Sequence, residues 1–250
     1  MNEKKAQIAV LAAMREESEY LASRLENTVE EMLGRYEVTK GELAGVPVVL
    51  VRCHVGMVNA AAATALLNER YAPRFVLNEG TAGGHDPALH RYDIVLGEEM
   101  TEIMHWHTPV CPPGGGSHPE SWEAPGADLT GSDMKDWVRI LKGDPNLLKL
   151  ARQVPYEKGR LVCGRLGSGD VWNNERDRIA YLNQIHGTAC EDMESFAAAQ
   201  ICAGFGVPFL SVRVISNTLL HESETDFALD SAVFCQQYTE RLIRAIAKSL

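Results

Sequence analysis

The chain has 250 residues, 45% hydrophobic and 23% charged, which suits one large domain with a substantial core. Its formal net charge of -10 excludes the basic face of a general nucleic-acid binder and names no substrate. No stretch approaches the ~20 apolar residues of a membrane span, and residues 1–6 (MNEKKA) are too short and polar for a signal peptide. A cytoplasmic protein with neither nucleic-acid nor membrane partners is expected.

In chain order, Gln7 to Ala12 is a short apolar run and reads as the first strand. Met14, Tyr20, Leu21 and Leu25 recur near helical spacing, with Arg15, Glu16, Glu17 and Glu19 at the helix start. Val46 to Cys53 predicts a second strand and Val58 to Leu67 an alanine-rich helix. Phe75 to Glu79 reads as a strand running into Gly80-Thr81-Ala82-Gly83-Gly84, where glycine suits a turn with positive φ. Asp93 to Gly97 and Arg160 to Leu166 follow as strands. Thr108 to Pro125 is rich in Pro and Gly and flanked by Trp106 and Trp122, so a folded lid or interface loop is expected within an irregular insertion over 105–136.

The stretch from Cys190 to Asn217 carries most of the candidate chemistry. Glu191, Asp192 and Glu194 read as the first turn of a helix, where carboxylates suit the positive end of the dipole. Gly204 and Gly206 stop that helix before Pro208, and Phe209 to Ile215 is a buried strand ending in Ser216 and Asn217. Ligands of open α/β sheets bind beyond the carboxyl ends of strands, so these two polar clusters frame a pocket. Leu229, Val233, Tyr238, Leu242, Ile246 and Leu250 then form a closing amphipathic helix. Strands alternating with helices predict a single α/β domain over 1–250, a three-layer α/β/α fold around a mixed, mostly parallel sheet.

The six cysteines (Cys53, Cys111, Cys163, Cys190, Cys202, Cys235) are scattered without a CxxC pair, as in reduced and mostly buried thiols. His105 and His107, with Cys111 and His118 nearby, have the side chains for zinc, but their spacing matches no standard set and no metal is expected.

Asp192-Met193-Glu194 followed by Arg213-Val214-Ile215-Ser216-Asn217 resembles the nucleoside phosphorylase/nucleosidase family, and within it the 5′-methylthioadenosine/S-adenosylhomocysteine nucleosidases. The resemblance runs from Ile8 to about Phe227 and departs most over Met100 to Asp136. It implies cofactor-free cleavage of a purine nucleoside by a homodimer or higher homo-oligomer. In Ala13-Met14-Arg15-Glu16-Glu17 it implies that Glu17, otherwise a solvated helix-start carboxylate, activates the attacking water. Phosphorylases of this fold carry a Gly-Asp-Pro loop and arginine there, and a second arginine at Asn78; this chain has neither, which favours water over phosphate. Val55 to Ala60 matches a strand-to-helix turn of the family, with His54 and Met57 in place of its Gly and Lys.

The same resemblance implies that Thr81, Ala82 and Gly83 lie against the nucleoside and that Met14 and Val55 line its pocket. Trp172, in Ser168-Gly169-Asp170-Val171-Trp172-Asn173, stacks on the purine and Phe227 lines the base pocket. Asn173 and Asn174 are also candidate caps for a following helix. Asp192, Met193 and Glu194 hold the ribose, with Arg213 and Ser216 completing the set. A carboxylate such as Glu194 also favours a transition state with positive charge on the sugar. The main departure is Asn217, where the nucleosidases have an aspartic acid that protonates the leaving adenine; an amide cannot donate that proton. Three readings are open: adenine held by the amide with another proton source, a 6-oxopurine nucleoside such as inosine or futalosine, or binding with little turnover.

Overall fold

The computed structural model describes residues 8–116, 118–122 and 140–250. Expectations for residues 1–7 and for the loop over 123–136 fall outside them. The chain runs β1 (Ile8–Ala12), α1 (Glu19–Arg24), β2 (Glu26–Leu33), β3 (Tyr36–Leu43), β4 (Val46–Arg52), α2 (Met57–Tyr71), β5 (Phe75–Gly84) and β6 (Ile94–Glu102). It continues through β7 (Ile140–Lys142), α3 (Pro145–Ala151), β8 (Leu161–Ser168), α4 (Arg176–His186), β9 (Thr188–Asp192), α5 (Ser195–Phe205), β10 (Phe209–Asn217) and α6 (Ser231–Ser249).

Among the described residues one sheet carries all ten strands, in the order β10-β6-β8-β9-β5-β1-β4-β3-β2, with β7 on β6. Because β10 also pairs with β5, strands β5, β10, β6, β8 and β9 close into a ring, and β1 to β4 extend from it as a wing. Pairing is parallel through β4-β1-β5-β10 and β6-β8-β9. It is antiparallel in the β2-β3-β4 meander, between β10 and β6, and at the short β5–β9 contact. The β2–β3 hairpin and α3 and α4 lacked a sequence signal: β2 is mostly exposed and mixes Glu with Val and Met, so no clean alternation marks it.

Two apolar layers follow from the period-two geometry of the strands. Ala9 and Leu11 of β1 face Ala60, Ala63 and Leu67 of α2 and Phe196, Ala198 and Cys202 of α5. Ile8 and Val10 face Leu21 of α1, Leu147 of α3 and Tyr238, Leu242 and Ile246 of α6. Burying such a side chain is worth about 1.5–3 kcal/mol, so these layers fix the sheet on which the polar residues below are mounted. Every residue of β10 is buried, as a strand covered on both faces requires. Among the described residues no helix is long and apolar enough to cross a membrane. All six cysteines are free, and Cys53, Cys190, Cys202 and Cys235 are buried.

Candidate active site

Three local expectations change at the carboxyl ends of the strands. The chain after β1 makes turns over residues 13–18 and α1 starts only at Glu19, so Glu17 belongs to the turn. Gly80 to Gly84 continue β5 rather than forming a loop, and none of these glycines has positive φ. Gly80 serves close approach instead: a Cβ there would lie 2.5 Å from Arg213 Nη1 and 2.8 Å from Glu17 Oε1. Glu191 and Asp192 end β9, Glu194 is the N-cap of α5, and the helix starts at Ser195. The strand wins because Glu191 pairs with Gly83 of β5 and Gly167 of β8.

Glu17 is 2% exposed and sits at the floor of a cavity of about 260 Å³. Its Oε2 accepts from the backbone N–H of Ala13 at 3.2 Å and Met14 at 3.1 Å, closing the turn on itself. Its Oε1 accepts from the Thr81 backbone N–H at 2.7 Å and the Thr81 hydroxyl at 2.9 Å. The three N–H groups are fixed, but the hydroxyl can rotate away and free a lone pair.

Behind Glu17 lies a buried ionic network. Arg213, 1% exposed on β10, has its guanidinium 3.1 Å from Asp192 and 3.3 Å from Glu194. It also donates to the Thr81 carbonyl at 3.4 Å and to the Asn78 side chain. Burial alone would lower Arg213, but Asp192 and Glu194 reverse that and raise it, so it stays charged. Asp192 accepts from Ser168 Oγ at 2.7 Å, from the N–H groups of Glu194 and Ser195 at 3.0 and 2.9 Å, and from the Ser195 hydroxyl. It therefore caps α5 and anchors Arg213, with little capacity left for a ligand. Glu194 accepts from the Gly56 N–H at 3.0 Å. Burial pushes its carboxyl up to about 7, against the lowering pull of Arg213. Gly56 makes that contact at φ 106, a conformation for glycine alone.

Farther along the cavity stand Glu191, Ser216, Asn217, Trp172 and Phe227. Ser216 donates to Asn217 Oδ1 at 2.9 Å or to the Ala82 carbonyl at 3.1 Å. The Trp172 and Phe227 rings are 5.6 Å apart and tilted by 57°, with Trp172 57% exposed at the mouth. Arg91 holds the chain on both sides of this corner, donating to the Ser216 carbonyl at 3.2 Å and the Asp226 carbonyl at 2.6 Å.

Of the residues named from the sequence, Met14, Glu17, Val55, Thr81, Ala82, Gly83, Trp172, Asp192, Met193, Glu194, Ser216, Asn217 and Phe227 line the cavity. Arg213 and Asn173 do not. Arg213 lies beneath the floor, and Asn173 turns to Glu191 instead of capping a helix; α4 begins after Glu175, whose side chain makes no cap. Ala13, Val171 and Glu191 also line the cavity. Ala13 and Val171 adjoin named residues, while reading Glu191 as helical concealed that, in a strand, it alternates with Cys190 and Asp192. Among the described residues of 105–122 none lines the cavity. That segment instead packs on α4, with the Arg178 guanidinium 5.8 Å from the Trp106 ring and 5.2 Å from the Trp122 ring. Among the described residues the one group of three side chains near enough to share an ion is His90, His221 and Glu224. Its imidazoles stack 4.2 Å apart at 15°, so their in-plane lone pairs run parallel and do not converge.

The pattern of the phosphorylase superfamily matches residues 7–250. A 5′-methylthioadenosine/S-adenosylhomocysteine nucleosidase of Geobacillus sp. (strain WCH70) is 31% identical over 248 residues, covering 97% of this chain and 98% of the relative. The nucleosidase of that name from Neisseria meningitidis, solved with methylthio-immucillin-A, superposes with a TM-score of 0.77 at 26% identity, covering 95% of this chain and 98% of that one. The futalosine hydrolase of Helicobacter pylori strain 26695 shares the fold, with a TM-score of 0.77 at 22% identity over 95% of this chain and 97% of that one. The chain belongs to the phosphorylase superfamily.

Proposed function

We propose that this protein is an N-glycosidase that hydrolyses a purine nucleoside to free base and ribosyl product. The carrying observation is the sign of charge around the reacting end. Glu17, Asp192 and Glu194 line it, and among the described lining residues there is no Lys or Arg. A phosphate dianion would meet like charge, whereas water needs a base. Glu17 takes a proton from water as its oxygen bonds C1′. The C1′–N9 bond breaks with its electron pair leaving on the base, which takes a proton from solvent water, and Glu17 then returns its own proton to solvent. The Glu194 carboxylate faces the ribose hydroxyls and the positive charge that develops on the sugar, where an anion helps the transition state more than the ground state. Trp172 and Phe227 hold the base and Met193 packs on the ribose.

Kinship puts 5′-methylthioadenosine and S-adenosylhomocysteine first among the substrates, with inosine and futalosine as the 6-oxopurine comparison. Base release in phosphate-free buffer, followed by chromatography, is the test. Release is expected without phosphate, and Glu17→Gln lowers it by about 10²–10⁴-fold. Turnover that appears only on adding phosphate would overturn hydrolysis. We also infer a homodimer, supported by the exposed apolar residues Val55, Val58 and Met104. Light scattering that returned the 27.5 kDa mass of a single chain would contradict it.

A further inference from the structure

Glu17 is held from two directions. One hold is its own carboxylate, which accepts from Ala13, Met14 and Thr81. The other comes from the closing helix. Gln236 of α6, 1% exposed, donates from Nε2 to the Glu16 carbonyl at 2.7 Å. That carbonyl belongs to the peptide bond joining Glu16 to Glu17. Gln236 Oε1 accepts from the Leu21 N–H at 3.0 Å, in the first turn of α1. The two bonds bracket Glu17 along the chain, and a further bond from Nε2 to the Ala232 carbonyl at 3.2 Å fixes the amide on its own helix.

The local sequence explains why such a clamp is needed. At six residues α1 is too short to hold itself in place. Its N-cap, Ser18, makes no cap bond, because the hydroxyl donates backwards to the carbonyls of Met14 at 3.0 Å and Arg15 at 3.1 Å. The Leu21 N–H is therefore an orphan donor of the helix start. Gln236 supplies the acceptor that Ser18 does not, and its amide offers a donor at the same time.

The chemistry decides which hold lasts through the reaction. Hydrogen bonds to an ionised carboxylate are about twice as strong as neutral ones. Once Glu17 takes the proton of water, its bonds to Ala13, Met14 and Thr81 lose that assistance. The bonds from Gln236 reach the backbone and do not depend on the charge of Glu17. We propose that Gln236 is a positioning residue for Glu17, keeping its turn in place through proton transfer; this rests on the reading of Glu17 as the base.

The test compares base release from 5′-methylthioadenosine and inosine by the wild type, Gln236→Met and Tyr20→Phe, at a temperature where circular dichroism shows all three folded. The Tyr20 hydroxyl donates to Glu240 at 2.9 Å across the same α1–α6 seam, so Tyr20→Phe reports loosened helix packing alone. Gln236→Met is expected to lower kcat about 10²-fold, the scale for a misplacement of ~1 Å, with KM within about twofold. Tyr20→Phe should leave both near the wild-type values. Amide hydrogen exchange gives a second measure: the Leu21 N–H should be protected like the core in the wild type and exchange faster in Gln236→Met. A kcat in Gln236→Met that matches Tyr20→Phe, a loss carried in KM, or an unprotected Leu21 N–H in the wild type overturns the proposal. A wild type that releases no base, or Glu17→Gln at the full rate, brings down the reading of Glu17 instead.

Discussion

At the Glu17 end of the cavity, three carboxylates surround one buried guanidinium, and backbone N–H groups of four segments hold their oxygens. At the Glu191 end, one carboxylate and one amide face each other across Gly83, beside two aromatic rings on loops, one of them more than half exposed. The first end is over-determined: each oxygen has partners, so any change of residue there disturbs several strands at once. At the second, among the described residues Glu191 is held by Asn173 and His85 alone, so a substitution there disturbs fewer strands. In the function proposed above, the chemistry belongs to the first end and base recognition to the second.

The largest test of that contrast is Arg213→Met. It leaves Asp192 and Glu194 buried without their cation, a loss of about 3–5 kcal/mol. At ~2–4 °C per kcal/mol for a chain of this size, the melting temperature should fall by about 6–20 °C. A thermal scan showing an unchanged transition would mean that the network is not what holds this end together.

Next in size is a pH effect. Glu194 is raised from 4.5 to about 7 by burial, so it becomes neutral as pH falls through about 7. Its anion is the form that helps the transition state, so kcat/KM should drop about tenfold per unit below that point. The same shift makes the folded protein bind this proton more tightly than the unfolded chain does. The resulting stabilisation is full below about 4.5 and is lost as pH rises through about 7. In Glu194→Gln the acid limb of the rate profile should disappear at a lower plateau; a limb that persists assigns it to another group.

The smallest effect belongs to the other end. Trp172→Ala removes one stacking face at an open mouth and should raise KM several-fold to about tenfold, with kcat nearly unchanged and the melting temperature within a degree or two. A large loss of kcat would instead tie Trp172 to the placement of the sugar, and the two ends would no longer be separable.

Short-range signals carried much of this architecture. Apolar runs marked β1, β4, β5 and β10, alanine runs marked α2 and α5, and the period of the last segment marked α6. Most of the cavity lining was legible too, because Met14, Glu17, Thr81, Trp172 and Met193 stand in short segments that resemble motifs of the family. The β2–β3 hairpin was not legible: it is amphipathic only against its neighbours, and its exposed face carries Val29 and Met32.

The sequence by itself determined the alternation of strands and helices and the buried strand that ends at Asn217. Only the tertiary structure decided that Gly80 to Gly84 are strand, since that depends on β10 and β9 pairing from either side. It also decided that Arg213 lies beneath the cavity rather than in it, because the alternation of β10 points it into the layer shared with Ser195 and Asn78. Last, it placed Glu191 across Gly83 from Asn217. The two are 26 positions apart in the chain, and strand register, which no local pattern encodes, sets them in one row.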